Sequence, residues 1–140
     1  QYRADVIEGN DPTKLATLIS MDHQDRGWTA VFQELERPDN ALVLSDYAVV
    51  LQAALLGQGL ALGWMNVVSH WLDKGDLVPA GARPRVTSRR CCLVVPVGRP
   101  TRPVVEQVRA WIIEEMHADL ARVDARYPDL GLAAMAGSVD

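Results

Sequence analysis

The stretch Leu44-Ser45-Asp46-Tyr47-Ala48-Val49-Val50-Leu51-Gln52-Ala53-Ala54-Leu55-Leu56-Gly57-Gln58-Gly59-Leu60-Ala61-Leu62-Gly63-Trp64 reads as a strand exit, a capped helix, a glycine turn and another strand. Ser45 and Asp46 both suit the N-cap, where a short side-chain oxygen accepts from an otherwise unpaired helix N–H. Tyr47, Val50, Leu51, Ala54 and Leu55 recur at helical spacing and form one apolar side. Gly57 suits the position just past the helix, which is often left-handed. Leu60-Ala61-Leu62-Gly63 is short and apolar, as expected of a buried strand.

The same alternation extends in both directions. Asp11-Pro12 opens a helical turn, with Asp as N-cap and Pro at the first helical position. Thr17–Ser20 reads as a strand, and Trp28, Val31, Phe32 and Leu35 fall on one face of a helix that must end before Pro38. After the Pro38-Asp39-Asn40 turn, Ala41–Leu44 is a second strand. Downstream, Asn66 is placed to cap a helix with Val67, Val68, Trp71 and Leu72 on one face, stopped at Gly75. Leu77-Val78-Pro79 reads as a brief strand, residues 80–90 as an arginine-rich loop, and Cys91–Val97 as an apolar strand. Thr101-Arg102-Pro103 begins the longest helix, with Val104, Val108, Trp111, Ile112, Met116 and Leu120 in phase. The tail from Pro128 is rich in Gly and Ala.

Strands alternating with helices define an α/β protein. Each step between strands is long enough for a right-handed crossover, which implies a mostly parallel sheet flanked by helices. Near-wholly apolar strands fit a sheet covered on both faces. The 140 residues make one domain's length, 49% apolar and 23% charged, which argues against disorder. A net charge of −4 does not supply the basic face of a nucleic-acid binder. No apolar run reaches the roughly 18 residues of a membrane span. The start at Gln1 shows no signal-peptide pattern and reads as the interior of a longer protein. Cys91 and Cys92 are adjacent, so a disulfide between them would be strained; they read as reduced strand residues of a cytoplasmic protein.

The segment from Leu44 to Trp64, followed by Trp71-Leu72-Asp73-Lys74-Gly75-Asp76-Leu77-Val78-Pro79, resembles the effector-binding domain of LysR-type transcriptional regulators. That family runs helix, Gly-x-Gly, apolar strand, helix, then a Gly-x-Leu-Val turn. Pro12 to Ser20, the Trp28…Phe32 helix, Leu93-Val94-Val95-Pro96 and the helix through Val108-Arg109-Ala110-Trp111-Ile112 follow in the family's order. No one motif is diagnostic; the ordered set carries the resemblance, over roughly residues 1 to 120. It implies a type II periplasmic-binding-protein-like fold, with one complete lobe and the C-terminal part of the other. Residues 1–14 would then be a residual first-lobe or hinge segment and 15–90 the second lobe. Residues 91–122 would be the return strand and helix, and 123–140 a C-terminal tail. DNA contact would lie in an N-terminal helix-turn-helix outside this sequence, and the protein would work as a homo-oligomer. The helix face with Val104, Val108, Trp111 and Ile112 would lack a full set of partners and favour self-association.

In an open parallel sheet, ligands bind outside the carboxyl ends of the strands. Those ends are Ser20-Met21-Asp22, Ser45-Asp46-Tyr47 and Gly63-Trp64-Met65, and the family's second-lobe contacts lie at the same places. Ser20, Met21, Ser45, Asp46, Tyr47, Gly63, Trp64 and Met65 are therefore the expected ligand-binding residues. The Ser45 hydroxyl with helix N–H groups could hold a carboxylate, although capping alone explains Ser or Asp there. Tyr47 and Trp64 could instead take a cationic, betaine-like group by cation–π contact, helped by Asp46. Core packing is the competing account of Tyr47. Trp28, Trp71 and Trp111 fall in apolar stripes and are expected in the core. His23 reads as a loop residue, and His70 and His117 as helix residues without an identifiable partner.

Nothing in the sequence assembles an active site, a metal site or a cofactor site. Gly57-Gln58-Gly59 follows a helix and precedes a strand, the reverse of a dinucleotide fingerprint. There is no Gly-x-Ser-x-Gly elbow, and Glu114-Glu115 lie on an amphipathic helix. The partner expected is a small molecule: a carboxylate, an amino acid or a betaine-like compound. The competing account is a lobe of a solute-binding protein, or of an enzyme sharing the fold.

Overall fold

The computed structural model describes residues 16–21, 28, 40–80, 84–85, 91–96, 98 and 101–133. It contains β1 (Leu18–Ser20), β2 (Ala41–Val43), α1 (Tyr47–Leu55), β3 (Leu60–Ala61), α2 (Met65–Lys74) and α3 (Pro103–Arg126), then a 3-10 turn at Pro128–Leu130. The chain divides into two compact units, Gln1–Trp64 with Lys74–Ala82, and Met65–Asp73 with Arg83–Asp140.

The first unit is built on a three-stranded sheet in the order β2-β1-β3. Both pairings are parallel: Leu18, Ile19 and Ser20 sit opposite Ala41, Leu42 and Val43, and Leu18 and Ile19 opposite Leu60 and Ala61. The central strand is buried throughout, with Leu18 and Ile19 at most 1% exposed. Central placement explains why its residues are apolar on both faces rather than alternating. Ile19, Val50 and Ala53 form a packed cluster joined by Leu42, Leu44, Tyr47, Ala54 and Ala61, which seats α1 on one face of the sheet. The Trp28 indole is buried, as expected, and donates to the Ile19 carbonyl at 3.1 Å.

The ends of α1 follow from local chemistry. Asp46 is the N-cap, extended at φ −142°, and its Oδ1 accepts from the Ala48 N–H at 2.7 Å. At the other end the Gln58 N–H bonds the Ala53 carbonyl at 3.0 Å and the Gly57 N–H bonds the Ala54 carbonyl at 2.9 Å. This is the Schellman pattern, and Gly57 takes the left-handed conformation it needs, at φ 72°. Gly59 serves a different purpose. A Cβ there would collide with the Thr17 carbonyl oxygen and come within 3.2 Å of Ile19 Cγ1. The Thr17 carbonyl accepts from the Leu60 N–H at 2.9 Å, so Gly59 lets β3 reach β1.

In the second unit α2 buries Val68, Ser69 and Leu72, and α3 buries Val123. Ser69 Oγ donates to Asp119 Oδ2 at 3.2 Å, Arg122 pairs with Asp73 at 3.3 Å, and Arg122 also bonds Asp119. This polar network clamps the two helices together. In the last turn of α3, Asp124 Oδ1 accepts from the Leu132 N–H at 2.8 Å and holds the turn that follows the helix.

Several expectations need correction. α2 starts at Met65, so Asn66 lies inside the helix rather than capping it, and Val67 faces outward while Ser69 is buried. Trp111 is 60% exposed, not core; Val104 and Val108 are exposed with it, as a face short of partners would be, and α3 buries Val123 near its C-terminal end. Leu77-Val78-Pro79 and Cys91–Pro96 form no strand, although β-branched and apolar residues favour one. A strand exists only when a neighbour completes its ladder, and neither segment is assigned to a sheet among the described residues. β3 is two residues rather than four, and just past it the Leu62 carbonyl accepts from the Tyr47 hydroxyl. The helical turn at Asp11-Pro12 and most of the helix around Trp28 lie outside the described residues.

Gly59→Ala is expected to lower the unfolding free energy by about 1–3 kcal/mol, the usual cost of forcing extra volume into a packed site. Urea unfolding followed by far-ultraviolet circular dichroism measures this. A midpoint equal to wild type would mean that β3 tolerates displacement from Thr17.

Candidate functional site

Because all three strands run parallel, their exits share one edge of the sheet. Ser20 and Met21 leave β1 there, Ser45 and Asp46 follow β2, and Gly63 and Trp64 follow β3. The Leu44 N–H donates to the Ser20 carbonyl at 2.9 Å and ties the first two exits. Ser20 is buried, Met21, Ser45, Asp46 and Gly63 are exposed, and Trp64 is half-buried. Met65 is the first residue of α2 and is counted with the second unit. His23 lies outside the described residues.

Tyr47 joins the exit of β2 to that of β3. It opens α1 directly after the Asp46 cap, and its ring packs against the Ile19–Val50–Ala53 cluster. Its hydroxyl donates to the Leu62 carbonyl at 3.0 Å and accepts from the Trp64 N–H at 3.1 Å. One phenol oxygen therefore spans the start of α1 and the exit of β3. Burial pushes the phenol above its ordinary value of 10.0, and the bond from the Trp64 N–H partly offsets that rise. Tyr47 is thus a brace with its hydroxyl engaged in both directions. The sequence marks Tyr47 by helical phase but carries no signal for the Leu62 carbonyl, since every residue has one.

The electrostatics of the edge centre on Asp46. Its carboxylate lies at the N-terminus of α1, where negative charge is favoured by the helix dipole. It also occupies the Ala48 N–H, one of the few donors that a bound anion could use. The edge therefore carries the capping Asp46 carboxylate beside an exposed Ser45, with Trp64 half-buried at the exit of β3. Among the described residues, no group of three or more His, Cys, Asp or Glu side chains is placed to hold a metal ion. No helix among them is long and apolar enough to cross a membrane.

The family model for the LysR substrate binding domain matches residues 15–117, which include the whole sheet and this edge. The chain belongs to that family, the effector-sensing domain of LysR-type transcriptional regulators, with a type II periplasmic-binding-protein-like fold. The family is regulatory rather than catalytic. No curated protein and no solved structure matches the chain significantly.

Tyr47→Phe removes a donor and an acceptor at once and is expected to cost about 1–3 kcal/mol, the usual range for stranding partly buried polar groups. The raised phenol also sets a pH dependence. Its contribution is complete below 10.0, the unfolded value, and is lost as pH climbs through the higher folded value. Wild-type stability should therefore fall more steeply than that of Tyr47→Phe above pH 10.0. Parallel urea titrations at rising pH compare the two slopes, and equal slopes would remove Tyr47 from this role.

Proposed function

We propose that the effector binds at the carboxyl edge of the β2-β1-β3 sheet, against Ser45, Asp46 and Trp64, with Ser20, Met21 and Gly63 beside them. The observation supporting this is the Tyr47 brace, which holds the N-terminus of α1 and the exit of β3 to one another. Residues on both sides of the brace are thereby preorganised, which lowers the ordering cost of binding.

Charge narrows the ligand class. A lone carboxylate would meet the Asp46 carboxylate and find the Ala48 N–H already taken. A zwitterion of the amino-acid or betaine type suits the edge better. Its ammonium group would sit by Asp46 and the face of Trp64, as cation–π contacts allow, and its carboxylate would take the Ser45 hydroxyl. Tyr47 supports the site from behind rather than contacting the ligand through its hydroxyl.

In this reading residues 15–90 are the second lobe of the effector domain and 91–122 lead back toward the first. Effector binding shifts the balance between lobe arrangements and so the geometry of a homo-oligomer. DNA is contacted by a helix-turn-helix outside this sequence, and the regulator works in the cytoplasm. The net charge of −4 accords with DNA contact lying elsewhere.

Titration of the chain with glycine betaine, choline and benzoate, read by heat and tryptophan emission, tests the site. Betaine is expected to bind, and Asp46→Asn or Trp64→Ala to weaken it about tenfold, equivalent to about 1.4 kcal/mol. Asn keeps the helix cap, so Asp46→Asn separates charge from folding. Binding of benzoate alone would reassign the edge to anions, and no response to any probe would overturn it.

The oligomer has its own check. Val104, Val108 and Trp111 expose an apolar side of α3, which supports association of copies. Sedimentation at tens of micromolar should show more than one chain per particle and a shift toward monomer in Trp111→Ala. A wild-type monomer would count against self-association.

A further inference from the structure

Cys91 and Cys92 are neighbours in sequence, both free and both exposed. They begin the segment Cys91–Pro96, which is exposed throughout and has no strand pairing among the described residues. A paired strand would point successive side chains to opposite faces and hold the two sulfurs apart. Outside a ladder that constraint is lifted, and the two thiols can turn to the same side.

Direct oxidation to a disulfide within the pair is disfavoured by geometry. Adjacent Cα atoms lie about 3.8 Å apart, closer than the roughly 4.4 Å lower end for disulfide-linked residues. One bridging atom bonded to both sulfurs enlarges the ring by one member and relieves that strain. Thiolate sulfur is a soft ligand and selects soft acceptors. Once the first sulfur has bonded, the second attacks from the next residue, at high effective concentration. Leu93 and Val94 follow directly, with Val94 89% exposed, and offer apolar surface to an organic substituent on the bridging atom.

We propose that Cys91-Cys92 is a capture site for trivalent organoarsenicals, with one arsenic bridging the two sulfurs. The reaction balances without an oxidant or reductant. Each sulfur donates an electron pair to arsenic(III), two As–S bonds replace the arsenic–oxygen double bond, and the two thiol protons leave with that oxygen as one water. Arsenic and both sulfurs keep their oxidation states. The site lies in the second unit and stands independently of the effector edge.

The test uses the reduced chain with phenylarsine oxide, followed by intact-mass spectrometry. One arsenical per chain is expected, added with loss of one water, and both thiols should become unreactive toward maleimide. The adduct should survive excess glutathione but be stripped by a small dithiol. Cys91→Ser and Cys92→Ser should each leave an adduct that glutathione removes, with retention falling about 100-fold, the scale of gain from a second linked contact. Both side chains are exposed, so neither substitution disturbs a core. Two arsenicals per chain, one arsenical linking two chains, a glutathione-labile wild-type adduct, or no adduct would each overturn the proposal.

Discussion

β1 is three residues long and is paired on both sides, and the geometry of the first unit follows from that. A central strand so short survives only because Leu18 and Ile19 are almost wholly removed from water and its neighbours complete both ladders. Parallel pairing forbids tight hairpins, so each return to the sheet needs a crossover. It also sends every strand exit to one edge. The fold thus gathers Ser20, Ser45 and Gly63 before any specific side-chain interaction is considered.

That edge has a division of labour among consecutive residues. Asp46 caps the helix and carries the charge, Tyr47 turns inward to brace β3, and Ser45 stays exposed ahead of both. A helix start gives adjacent residues very different environments, because the chain changes from extended to helical between them. The brace also lies directly past the end of β3. The Leu62 carbonyl accepts from the Tyr47 hydroxyl, and the Trp64 N–H donates to that hydroxyl's oxygen.

The second unit is held differently. Its apolar burial is modest, with Val68 and Leu72 on α2 and Val123 on α3, and the polar pairs of Ser69, Asp73, Asp119 and Arg122 add direction to the packing. The first half of α3 keeps Val104, Val108 and Trp111 in contact with solvent. Helical periodicity states only which residues share a face. Whether that face is covered depends on what is brought against it.

Local chemistry was legible in the residues themselves. The caps at Asp46 and Gly57, most of the apolar side of α1, the order of β1, β2, α1, β3, α2 and α3, and the carboxyl edge all follow from short-range rules that need only neighbours in sequence. Tertiary structure decided the rest, because those outcomes depend on partners distant in the chain. Cys91–Pro96 has strand composition but no partner strand among the described residues, and Trp111 has helical phase yet is 60% exposed. Tyr47 is core by its ring, yet its hydroxyl has a task only because Leu62 and Trp64 arrive beside it. Gly59 shows the same limit: its sequence neighbours mark a turn, while the oxygen that forbids a Cβ belongs to Thr17, just ahead of β1.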